Sequence, residues 1–234
     1  MSEKPKIGTS TDAEAYATGH LGFKAADLSG LDAETAAHVV DTIEKIQTRF
    51  PELKGTVEQI VKTRQRNAYA AMETSAQVHS DGSPYSMKLH IGSMYDSSSG
   101  GLSKVKESYE KDVKSGFHPE GTDASSIIWH EYGHALANLR SGRTAASKYS
   151  DSNDSYWRAS TYVNDRRKHL TEKEWVRTAA KSMKTTQKAF KEKISRYAAK
   201  NEAETFAEAF AEFTTSANPR PECIALMKAA GIVQ

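Results

Sequence analysis

His130-Glu131-Tyr132-Gly133-His134 constrains this chain more than any other stretch. The segment ahead of it, Thr122-Asp123-Ala124-Ser125-Ser126-Ile127-Ile128-Trp129, reads as the start of a helix. On a helix, two histidines four apart leave the same face, one turn above the other. Both imidazoles can then close on one metal ion, with Glu131 placed to reach a water on that ion. This is the HExxH pattern of zinc hydrolases. A catalytic zinc takes three protein ligands and keeps a fourth position for water. The fold must therefore bring a further ligand across from another element.

Positions 137 to 140 read Ala-Asn-Leu-Arg, so the third histidine of a metzincin is not there. The candidate block is Asn201-Glu202-Ala203-Glu204-Thr205-Phe206-Ala207-Glu208-Ala209-Phe210. Glu204 and Glu208 are four apart, which puts both carboxylates on one helical face. Phe206, Phe210 and Phe213 form a separate apolar stripe that anchors the helix in a core. A carboxylate from a second helix facing the HExxH helix is the ligand arrangement of the gluzincin peptidases.

With Tyr197 four residues before Asn201, this block resembles the catalytic domain of anthrax lethal factor and related phage-encoded metallopeptidases. The resemblance covers residues 117–139 and 194–213. It implies a zincin-like, lethal-factor-like domain and a zinc metalloendopeptidase holding one Zn²⁺. Glu204 would complete the ligand set begun by His130 and His134. Glu131 would activate a zinc-bound water for attack on a peptide bond, and Tyr197 would stabilise the tetrahedral intermediate. Glu208 would hold a ligating imidazole in position. In similar enzymes an edge strand beside the metal helix pairs with the substrate backbone, a role that falls here to Lys88, Leu89, His90, Ile91 and Gly92. The partner is then a protein or peptide substrate. The toxin's own substrates are not carried over. A rival reading keeps the same fold as a catalytically retired structural or partner-binding module, for example a phage-associated one. The intact Glu131 speaks for activity.

The rest of the chain sets the frame. Hydrophobic residues make up 38% and charged residues 26%, enough for a sizeable core under a wet surface. A formal charge of +2 is too mild to argue for nucleic acid or an anionic membrane. No segment reaches the roughly 18 apolar residues of a membrane helix. The N-terminus has no apolar stretch of a signal peptide, so a cytoplasmic protein is expected, or one that leaves by a route needing no signal. The single cysteine, Cys223, reads as a packing residue.

Helical spacing of Ala36, Val39, Val40, Ile43 and Ile46 predicts a helix over 32–50, closed by Pro51. A shorter helix is expected over 57–63. Met87, Leu89 and Ile91 alternate with polar residues, the period of a half-buried strand. Ser141-Gly142 reads as the C-cap of the metal helix. A long basic helix is expected over 171–197 and another over 201–214. The class is α+β, mostly helical with a small mixed sheet beside the HExxH helix. The division expected is a helical region of unknown role over 1–65 and a metallopeptidase domain over 66–234. His118, just ahead of the metal helix, has two readings, a residue lining the cleft and the favoured one of a loop histidine without a catalytic role; Asp151-Ser152-Asn153-Asp154 reads as a solvated turn rather than a calcium loop.

Overall fold

A computed structural model describes residues 5–63, 68–148 and 155–233. Among them are nine α-helices and one four-stranded mixed sheet, an α+β architecture. The helices are α1 (Ser10–His20), α2 (Ala33–Arg49), α3 (Gly101–Lys114), α4 (Ser126–Lys148), α5 (Ser155–Lys168), α6 (Leu170–Ser182), α7 (Gln187–Ile194), α8 (Glu202–Thr215) and α9 (Pro221–Ala229). The strands are β1 (Ala25–Ala26), β2 (Gln59–Lys62), β3 (Ala70–Thr74) and β4 (Met87–Ile91), in the order β1-β2-β4-β3. β1, β2 and β4 run parallel, and β3 closes the sheet antiparallel to β4.

α2 forms where its apolar residues recur. Asp32 caps its first turn by accepting from Thr35 N–H at 2.7 Å, and Ala36, Val39, Val40, Ile43 and Ile46 are all fully buried. These side chains share one continuous core with Ile60 of β2, the inward residues of β4, and Trp129, Leu136 and Phe210 of α4 and α8. Residues 5–63 thus supply two strands and part of the common core, besides their helices. Cys223 is fully buried in α9, as its packing role requires.

Three local expectations fail. The stretch 57–63 holds the strand β2 over Gln59–Lys62 rather than a helix, because Val57, Ile60 and Val61 suit either period and pairing with β1 and β4 decides. The helix expected over 171–197 is two helices. Lys184 takes a left-handed φ of 52° and Thr186 caps α7 by accepting from Ala189 N–H, so the chain turns between them. Gly142 does not end α4, which runs on to Lys148. A Cβ at Gly142 would sit 1.9 Å from the carbonyl oxygen of Gly82, so the glycine lets the turn over residues 78–84 lie directly on the helix. The turn expected over 151–154 lies outside the described residues.

β4 is also not an edge strand. It lies between β2 and β3, so the backbone of Lys88, Leu89, His90 and Ile91 is taken up on both sides, and Gly92 N–H donates to Tyr69. The free edge beside α4 is β3. No helix among the described residues is long and apolar enough to cross a membrane.

Candidate metal centre

α4 and α8 pack antiparallel. Ser126 at the start of α4 meets Thr215 at the end of α8 through their hydroxyls, 2.8 Å apart, and His134 meets Glu204 at the other end. Gly133 makes the approach close, since a Cβ there would lie 3.0 Å from Cα of Ala207. On the far side of the crossing, Trp129 and Phe50 pack on Phe210, with ring centroids 5.9 and 5.0 Å from it. Asn201 caps α8 by accepting from Glu204 N–H at 2.9 Å, which fixes Glu204 in the first turn. A carboxylate is favoured there by the partial positive charge of the helix start.

Three donor atoms converge at this crossing. His130 Nε2 and Glu204 Oε2 are 3.1 Å apart, His134 Nε2 and Glu204 Oε2 3.4 Å, and the two Nε2 atoms 3.2 Å. Ligands about 2.05 Å from a tetrahedral zinc stand roughly 3.3 Å from one another, so this triangle has the size of one face of a zinc shell. Glu204 Oε2 is buried and makes no hydrogen bond. A buried carboxylate oxygen without a partner is costly; a cation at the centre of the triangle would satisfy it. Among the described residues, His130, His134 and Glu204 are the one group of this kind that could hold a metal ion.

Glu208, one turn further along α8, faces the other side of His130. Its Oε1 lies 2.9 Å from His130 Nδ1, and its Oε2 accepts from Ser195 Oγ at 2.9 Å. A proton on Nδ1 leaves the Nε2 lone pair directed at the metal position. Burial opposes charge on both residues. The pairing prevails: Glu208 is held down to about 2 by His118 and His130, and His130 is raised by Glu204 and Glu208. Burial pushes Glu204 upward as well, yet the two imidazoles draw it below the usual carboxylate range.

Glu131 and Tyr197 line one cleft together with His130. Glu131 is 7% exposed and lines a cleft of about 570 Å³ between β3 and α4. Tyr197 lies at the start of a 3-10 turn rather than in a long helix, with its ring 5.6 Å from that of His130. Its N–H donates to Phe117 O, tying it to the loop before α4. Burial and the nearby carboxylates of Glu204, Glu131 and Glu208 keep its hydroxyl protonated well above the ordinary range.

His118 lies in the cleft wall, the less favoured of its two expected readings. Its Nδ1 lies 3.1 and 3.2 Å from the two oxygens of Glu208, and its ring stacks on Tyr109 at 4.7 Å. It lines the cleft with Tyr69, Tyr109, Phe117 and Tyr197. Only its place just ahead of the metal helix hinted at this.

The opposite wall is β3. Gly92 N–H donates to Tyr69 O at 2.7 Å, and Ser75 N–H to Ser86 O at 2.8 Å. Antiparallel pairing alternates, so residues 69, 71, 73 and 75 turn their amides toward β4. Ala70, Met72 and Thr74 turn theirs outward, to the cleft side. Of the five residues expected to bind substrate, His90 alone lines the cleft, held by Glu73 at 2.9 Å; Lys88 also pairs with Glu73, and Leu89 and Ile91 are fully buried. No protein-family model, curated protein or solved structure matches this chain.

Proposed function

We propose that the protein is a zinc-dependent metallopeptidase with a gluzincin-type, lethal-factor-like site. The observation that carries this reading is the triangle of His130 Nε2, His134 Nε2 and Glu204 Oε2, with Glu131 beside it in an open cleft. Zinc, when bound, supplies a Lewis acid that brings a water's pKa toward about 7 and polarises the scissile carbonyl. Glu131 accepts the proton of the attacking water and delivers it to the leaving amine. Tyr197, protonated throughout, donates to the carbonyl oxygen as negative charge develops, a contribution of about 3 kcal/mol for one such donor. Glu208 fixes the tautomer of His130. The substrate backbone adds to the free edge of β3 through Ala70 and Met72, in place of the β4 residues.

Metal analysis combined with a peptide-library assay tests the reading. The wild type should carry one zinc per chain and cleave. Glu131→Gln should keep the zinc and lose about 10³-fold or more in turnover. Undiminished cleavage by that variant would remove Glu131 from the chemistry. Bound zinc without cleavage of any peptide would favour a retired site kept for its structure.

A further inference from the structure

The cleft is lopsided about the metal position. Its lining takes in Tyr109, Phe117, His118 and Tyr197 together with Glu73 and Glu131; of the three candidate ligands only His130 reaches it, and Thr74, Asn138 and Arg166 do not line it. Those three residues form a plug. Asn138 Nδ2 donates to Thr74 Oγ1 at 3.0 Å, joining α4 to the end of β3. Arg166 of α5 donates through Nε to Asn138 Oδ1 at 3.1 Å, and through Nη1 to Thr74 O at 2.9 Å and Ser75 O at 2.8 Å. Thr74 O is the next outward carbonyl after Met72, so Arg166 occupies the place a third paired substrate residue would need. The plug is itself anchored: the neighbouring Asp165 accepts from Ser141 Oγ at 2.7 Å and Thr171 Oγ1 at 2.9 Å.

Its distance from the metal follows from helix geometry. Asn138 lies one turn beyond His134 and two beyond His130, about 6 and 12 Å along the axis. The metal position falls between the histidines, so roughly 9 Å separate it from the plug. An extended chain advancing about 3.3 Å per residue covers that in two or three residues.

We propose that Arg166 closes one end of the substrate cleft, so that this peptidase reads its substrate on the aromatic side and cuts two or three residues from the substrate's other end. The inference rests on the peptidase reading and narrows its substrate class to peptides engaged near a terminus.

The test is a length series on the zinc-loaded, full-length protein, using a peptide that a library shows to be cut. A peptide with three residues on the plugged side should be cut best, and trimming that side from three residues to two should leave kcat/KM within about twofold, while each residue removed from the aromatic side should lower it roughly fivefold, the worth of one net hydrogen bond. Lengthening the plugged side beyond three residues should slow cleavage, and Arg166→Ala or Asn138→Ala should relieve that penalty. Equal dependence on both sides out to four or more residues would overturn the plug and leave the peptidase standing. No cleavage by zinc-loaded wild type would overturn both. The wild-type series decides the matter even if neither variant folds.

Discussion

Along α8 the carboxylates of Glu204, Glu208 and Glu212 follow one another at one-turn intervals, and they differ in what satisfies them. Glu212 is 1% exposed and saturated: Arg220 donates to it from its backbone N–H at 2.8 Å and from Nε at 3.0 Å, and Cys223 Sγ adds a contact at 3.1 Å. Glu208 is equally buried and engaged by His118, His130 and Ser195. Glu204 has an oxygen that nothing bonds, within reach of two imidazole nitrogens. A permanent cation, Arg220, makes the first a structural ion pair. The third instead belongs with two imidazoles to a group that could hold a metal ion. The difference separates two carboxylates satisfied within the fold from one placed where a metal ion could be held.

Substitutions along this row test that separation. Glu212→Ala leaves the half-buried Arg220 without its carboxylate and should cost about 1 to 3 kcal/mol of stability in denaturant melts, while still binding one zinc per chain. Glu204→Ala should change the metal-free melt little. It should abolish the zinc-linked stabilisation of the wild type, about 4 kcal/mol at zinc a thousandfold above Kd. If zinc stabilised that variant as strongly as the wild type, Glu204 would not be a zinc ligand. Glu208→Gln keeps the shape but weakens its hold on His130, and zinc affinity measured by competition should fall about 10- to 100-fold. Gly133→Ala presses a methyl on Cα of Ala207 and should cost about 1 kcal/mol, with a smaller loss of zinc affinity as α8 is pushed back.

Much of this row was legible because the helical period is short. Four-residue spacing by itself places His130 with His134, and Glu204 with Glu208. Spacing alone leaves Glu204 and Glu208 equivalent; the resemblance divided their roles, and the geometry puts Glu204 against both Nε2 atoms and Glu208 against Nδ1. The pairing of His118 with Glu208 is not legible, because 90 residues separate the two and no local pattern encodes that contact. The substrate strand was misplaced for a related reason. The alternation in Met87-Lys88-Leu89-His90-Ile91 tells which faces are buried, and it does so correctly. Which strand lies at the edge depends on the order β1-β2-β4-β3, set by pairing between distant segments. Gly142 looked like a stop because glycine commonly ends helices, whereas here it makes room for the backbone of Gly82.

Zinc-edge X-ray absorption on the loaded protein tests the central claim most directly. The expected shell is two imidazole nitrogens at about 2.0 Å, one carboxylate oxygen at about 2.0 to 2.2 Å and one further light atom from water, with the carboxylate contribution gone in Glu204→Ala. A sulfur at about 2.3 Å, which only Cys223 or a methionine could supply, or a zinc shell unchanged by Glu204→Ala, would contradict it.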